Sequence, residues 1–100
     1  MAEVGAISAE KADIAACQLL LSLRIDAEPV VRSNCIWALG RLYEKLEEPR
    51  CIELVDAFIA VLLDDLEVSV RDEARMALEQ LENPAVRTRL QKLVEEGLIV

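Results

Sequence analysis

The chain reads as an all-α protein, a short α-solenoid of two helical hairpins plus a capping helix, about five helices in all. Three observations predict it. The sequence repeats itself at an offset of 39 residues: Asp26, Val31-Arg32, Ala38-Leu39 and Leu42 recur as Asp65, Val70-Arg71, Ala77-Leu78 and Leu81. The stretch before each set matches as well, with Ala15, Ala16, Leu19, Leu20 and Leu23 falling on Leu54, Val55, Phe58, Ile59 and Leu62. The composition is 54% hydrophobic with only three aromatics, a diet of Leu, Val, Ile and Ala that suits packed helices. The apolar stretches are separated by short acidic or proline-bearing turns, which force consecutive helices to lie antiparallel. Units of this kind bury their apolar faces only by stacking on one another, so the protein is expected to be a surface for binding something.

Residues 1–7 are expected to be a flexible N-terminus, 8–46 a first repeat, 47–82 a second, and 83–100 a capping helix and tail. The first helix runs from about Ala9 to Arg24, with Ser8 as N-cap and Ile14, Cys17, Leu20, Leu21 and Leu23 as its apolar stripe. Asp26 to Pro29 turns the chain, and Pro29 suits a first helical position, where its missing N–H would have no partner. The second helix follows to about Leu46. Glu47-Glu48-Pro49 repeats the device and opens a third helix to about Leu63, with Cys51, Val55, Phe58 and Leu62 on one face. Asp64 to Glu67 is the next turn, and a fourth helix runs to about Leu81. Asn83-Pro84 opens a shorter fifth helix with the stripe Val86, Leu90, Leu93 and Val94; Gly97 is placed as its left-handed C′ residue, with Leu98 folding back toward Leu93.

Charge and composition exclude several classes. Eleven basic against nineteen acidic side chains give a net charge of −8, which repels a phosphate backbone, so no nucleic-acid partner is expected. Histidine is absent, and with it the commonest general acid/base and metal ligand. Three cysteines, at 17, 35 and 51, form no Cys-x-x-Cys pair, so no metal site, no cofactor and a reducing cytoplasmic setting are expected. The start MAEVGAI lacks the basic residues and apolar run of a signal peptide, and no stretch is apolar enough to span a membrane.

The strings DAEPVVRSNCIWALGRL and DDLEVSVRDEARMALEQL resemble HEAT repeats of the bacterial and archaeal kind, which include those in phycobilin lyase subunits. The shared elements are an Asp six residues before an Arg, a Val before that Arg, and an Ala-Leu pair near the end of the second helix. The resemblance covers about residues 13–82. It implies that Asp26, Arg32, Asp65 and Arg71 tie their turns and form a ladder along the solenoid. It also implies a family of scaffolds, adaptors, lyase subunits and assembly factors, which one fold serves equally.

On a wheel of 100° per residue, Val31, Cys35, Leu39, Leu42 and Leu46 of the second helix share one arc of about 80° and must face the core. Opposite them lie Ser33, Trp37, Gly40 and Glu44, and the equivalent face of the fourth helix holds Asp72, Met76, Glu79 and Asn83. In a solenoid these faces line the concave surface. The expected partner-binding residues are therefore Ser33, Trp37, Arg41, Glu44, Asp72, Met76, Glu79 and Gln80, centred on Trp37 and Met76. Trp37 has two readings at this point, an anchor for a partner or a side chain packed on the neighbouring unit. With Glu73 nearby, the acidic strip suits a basic protein partner, although such charges also serve simply to solvate a helix.

Ile36 and Tyr43 form a flank whose equivalents in the second repeat are Arg75 and Glu82. Turned toward the following repeat they are internal; turned the other way they leave an apolar edge and predict a homodimer. The fifth helix carries the one basic cluster, Arg87, Arg89 and Lys92, with Lys92 one turn from Glu96.

No catalytic residue is expected. Cys51 falls in the first turn of the third helix, where the dipole lowers a thiol pKa, yet it shares the stripe of Val55 and Phe58, which favours packing; Cys17 and Cys35 are read as core too. Asp64-Asp65 sits in a turn, where capping explains it. The leading reading is a non-catalytic adaptor, scaffold or assembly factor. The alternatives are a lyase-like or chaperone subunit acting on a bilin-carrying antenna protein, which rests on the resemblance, and a self-associating structural protein.

Overall fold

Each turn of the chain reverses its direction, and the result is two stacked helical hairpins with a fifth helix at the end. The computed structural model describes residues 8–100, and residues 1–7, expected to be a flexible terminus, lie outside them. The elements are α1 (Ala9–Ile25), α2 (Pro29–Leu42), a 3₁₀ turn (Tyr43–Lys45), α3 (Glu48–Asp64), α4 (Val68–Gln80) and α5 (Pro84–Glu95), with no strand among the described residues. No helix among them is long and apolar enough to cross a membrane.

The helix ends follow from local chemistry. The Ser8 hydroxyl accepts a hydrogen bond from the Lys11 N–H at 3.2 Å, capping α1. Asp26 and Asp65 do the same work in the two turns, each accepting from an N–H two residues on, Glu28 at 2.9 Å and Glu67 at 3.0 Å. Asn83 caps α5 through Ala85 N–H at 2.9 Å. Gly97 is left-handed at φ 77°, with Gly97 N–H on the Val94 carbonyl and Leu98 N–H on that of Leu93, both at 3.0 Å: a Schellman end. The Leu98 side chain itself remains 58% exposed.

The hairpins stack so that α2 packs on α4 in one layer while α1 and α3 form the other. The core they enclose is continuous, with Leu20, Ile36, Leu39, Leu54, Phe58, Val70 and Leu78 fully buried. Each such side chain contributes about 1.5–3 kcal/mol relative to an exposed one. α3 sits in the middle and buries Leu54, Ala57 and Ile59 besides the expected Val55, Phe58 and Leu62.

Two expectations need correction. α1 buries Ala12, Ala16, Leu20 and Leu23, whereas Ile14 and Leu21 are more than half exposed and Cys17 is exposed. The helix turns Ala12 and Ala16 inward beside Leu20 and Leu23, and leaves Ile14 and Leu21 outside. Ile36 and Tyr43 form no open edge: Ile36 is fully buried, and Tyr43 is half-buried with its hydroxyl accepting from Asn83 Nδ2 at 2.8 Å. That flank faces the second repeat, which is the internal one of its two readings.

Candidate partner-binding surface

The sequence fixes no reacting group, so the site is a surface, and its frame is the run of arginines that joins the two hairpins. Within each hairpin the arginine ties its own turn. Arg32 Nη1 donates to the carbonyls of Asp26 and Ala27, both at 3.1 Å, and Arg71 donates to the carbonyl of Asp65. Between hairpins Arg32 grips the Asp65 carboxylate with two bonds, Nε–Oδ2 at 2.8 Å and Nη2–Oδ1 at 2.9 Å. The forked geometry suits guanidinium and carboxylate, and the Asp65 side chain is only 7% exposed. Burial pushes the Asp65 carboxyl up, but the Arg32 guanidinium and the Glu67 N–H outweigh it and hold the group below the ordinary aspartate value.

A second set of ion pairs staples the other layer. Arg50 of α3 holds Asp13 of α1 through two bonds, at 2.8 and 3.3 Å, and also bonds Glu53, which Arg24 reaches from α1 at 3.1 Å. Arg50 lowers the carboxyl pKa of both Asp13 and Glu53 through these hydrogen bonds. Arg89 of α5 pairs with Asp56 of α3 at 2.7 Å. The basic cluster of α5 thus works partly as a staple, and among the described residues Lys92 forms no ion pair with Glu96.

On this frame the α2–α4 layer turns its far side to solvent. Trp37 is 61% exposed and Met76 53%, at equivalent positions one repeat apart on packed helices. The second hairpin does not sequester the indole. Its neighbour is Arg41 from the next turn of α2, whose guanidinium lies 4.9 Å from the ring centroid, a cation–π arrangement. Glu44, Asp72, Glu79 and Gln80 are exposed and Ser33 is half-buried. Glu79 lies 3.9 Å from Arg75. Asn83, expected on the same face, is instead drawn away to cap α5 and bond Tyr43.

Gly40 stands between Trp37 and Glu44 on this face, and a Cβ built there meets nothing within 4 Å. No packing in the fold requires a glycine in mid-helix, where it costs about 1 kcal/mol relative to alanine. Sequence reasoning placed it on the strip without asking why it is a glycine; its position opposite the core stripe was the signal.

Cys35 and Cys51 offer no activated thiol. Burial pushes the thiols of Cys35 and Cys51 up, and Cys51 Sγ lies 3.4 Å from the Leu46 carbonyl and 3.5 Å from that of Tyr43. Cys17, read as core, is exposed because α1 is rotated from its expected setting. Among the described residues no group of three or more Cys, Asp or Glu side chains is placed to hold a metal ion.

The family model of the HEAT repeat matches residues 16–46, that is α2, its turn and the later part of α1. No curated protein and no solved structure gives a match to the chain.

Proposed function

We propose that the protein is a non-catalytic interaction module that docks a protein partner on the solvent face of the α2–α4 layer. HEAT repeats commonly mediate contacts between proteins, and the reading here rests on the exposed indole of Trp37, stacked by Arg41 and set beside a glycine that the fold itself does not need. A large aromatic with few rotatable bonds loses little entropy on contact, which is how anchors gain affinity. Gly40 lets a partner's backbone or ring approach the helix closely beside that anchor. Glu44, Asp72 and Glu79 around it favour a basic partner, steering its approach more than adding affinity.

The adaptor, scaffold or assembly role acts by presentation of a rigid surface, with no bond chemistry. Three unpaired thiols suit the reducing cytoplasmic setting that belongs to this reading. A lyase-like role in bilin attachment rests only on the resemblance of the two turn motifs, and visible absorbance after incubation with a bilin is its test.

The deciding experiment is a pull-down from source lysate with the wild type, the double variant Trp37→Ala/Met76→Glu and the single variant Gly40→Ala, all shown to be equally helical. A partner retained by the wild type and lost by both variants supports the surface. The same partner retained by both overturns it. Gly40→Ala separates binding from stability, because it should raise stability by about 0.5–1 kcal/mol while weakening the complex.

A further inference from the structure

The two turns that carry Asp26 and Asp65 lie at the same end of the molecule, joined by the Arg32–Asp65 pair. Between them runs a cleft of about 400 Å³. Its walls are the apolar side chains of Ala57, Ala60, Val61 and Leu66, and its rim carries the carboxylates of Asp26 and Asp64. Arg24 and Arg32 also line it, but Arg24 is bonded to Glu53, and Arg32 is taken up by Asp65 and two turn carbonyls. Among the described residues neither Asp26 nor Asp64 forms a salt bridge; Asp26 lies within the electrostatic reach of Arg32, whose donors are already taken, and Asp64 has no such neighbour, so the rim keeps a net negative charge.

Exposed apolar side chains crowd the same end. Leu66 is 93% exposed, Ile25 72% and Val30 64%, with Val68 at 59%. Leu66 lines the cleft itself, while Ile25, Val30 and Val68 stand at the helix ends next to the same two turns, a combination that an ordinary solvated turn does not need, since turns are normally built of small polar residues.

We propose that this inter-turn cleft is a docking site for a basic, apolar segment of a partner protein, seating a lysine or arginine between the two turns. The stem of the incoming side chain lies along Ala57, Ala60 and Leu66, and its charged head meets Asp26 and Asp64 at the rim. Apolar residues flanking that side chain cover Ile25 and Val68. Charge complementarity selects the occupant: an acidic or neutral segment would leave both carboxylates unanswered. The site is separate from the Trp37–Met76 face and does not depend on it.

The probe is a synthetic amphipathic peptide of alternating leucine and lysine pairs, titrated into the ¹⁵N-labelled protein while amide shifts are followed. The control is the same peptide with serine in place of leucine. The expected result is saturable shifts confined to residues 24–30 and 57–68, an affinity weakened about tenfold or more by Asp64→Asn/Leu66→Ser, and no change with Met76→Glu. Asp64 and Leu66 are exposed, so the double variant keeps the fold, and its circular dichroism checks that. Shifts centred on Trp37 and Met76, equal affinity for the serine control, an unaffected double variant or no saturable binding would each overturn the proposal. The failure of this cleft leaves the Trp37 face standing, because the two are read from different amides.

Discussion

The two hairpins share one template but not one chemistry. Through the 39-residue offset, Ile14, Cys17, Leu21 and Ile25 of α1 correspond to Glu53, Asp56, Ala60 and Asp64 of α3. On α3 the first two of these carboxylates are bound by arginines, Glu53 by Arg50 and Arg24, Asp56 by Arg89. On α1 the same positions are apolar and open to solvent. The buried sides agree far better: Ala16, Leu20 and Leu23 match Val55, Ile59 and Leu62, all buried. Local partners explain the split: Glu53 and Asp56 of α3 lie against Arg24, Arg50 and Arg89, whereas the matching positions of α1 face solvent. The repeat therefore preserves what faces the core and lets the rest follow its location.

The largest expected effect breaks the comparison at its centre. Phe58 of α3 is fully buried, and its counterpart Leu19 in α1 is half-buried. Phe58→Ala should cost about 3–5 kcal/mol and Leu19→Ala about 2 kcal/mol or less, measured by urea denaturation. Equal losses would mean that the central helix is no better packed than the terminal one.

Next come the two equivalent arginines. Arg32→Ala leaves the Asp65 carboxylate nearly buried without its cation and should cost about 3 kcal/mol. Arg71 ties only its own turn, through the Asp65 carbonyl, so Arg71→Ala should cost about 1 kcal/mol. A difference below about 1 kcal/mol between the two would place the strength of the ladder in the turns and not in the pair that joins the hairpins.

Acid tests the same joint. Asp13, Glu53 and Asp65 all have carboxyl pKa values below their ordinary ones, so the unfolded chain binds their protons more readily than the folded chain does. Their contribution is present in full above the unfolded values and is lost as pH falls through the folded ones. Thermal stability should therefore decline from about pH 5 downward, and in Arg50→Gln the decline should be shallower, because two of the three shifts arise from Arg50. An identical slope in that variant would remove the α1–α3 staple from the account.

Much of the fold was legible because the turns and caps and part of each stripe of α2, α3 and α5 could be read from spacing; the central α3 buries Leu54, Ala57 and Ile59 beyond its expected stripe, and Val94 of the expected α5 stripe is exposed. Cys35 and Leu39 are buried as their wheel placement requires, and the Gly97 end forms the expected pair of bonds; Leu46 is buried for another reason, since α2 stops at Leu42 and not near Leu46 and a 3₁₀ turn carries Leu46 into the core. α1 was misread because it carries two apolar stripes on opposite faces. Bulk favoured Ile14 and Leu21, while close approach to its neighbours favoured Ala12 and Ala16. The repeat held the answer: carried onto α3, Ile14, Cys17 and Leu21 land on Glu53, Asp56 and Ala60, and the alanine stripe on Cys51 and Val55. The Trp37 strip was visible as the side opposite the core, but Arg41's place over the ring needs a rotamer that spacing does not supply. The inter-turn cleft was hidden because it is made by stacking, from side chains 38 residues apart such as Asp26 and Asp64.

The smallest effect concerns how the hairpins end. After α2 the chain passes through a 3₁₀ turn and tucks Leu46 into the core before α3 begins. After α4 only Leu81, Glu82 and Asn83 precede Pro84, and the tighter reversal forces Glu82 to φ 54°. A side chain pays for that left-handed conformation, about 1–2 kcal/mol by sterics, and glycine does not. Replacing Glu82 by glycine also loosens the unfolded chain, which cancels about 0.4–1 kcal/mol of the relief. Glu82→Gly should thus raise stability by about 0.5 kcal/mol. Gly97→Ala, at φ 77° in the Schellman end of α5, should lower it by about 1 kcal/mol. Opposite signs at two left-handed residues would show that the backbone, and not the side chain's contacts, governs both ends. A loss in Glu82→Gly would instead assign the Glu82 side chain a role in closing the second hairpin.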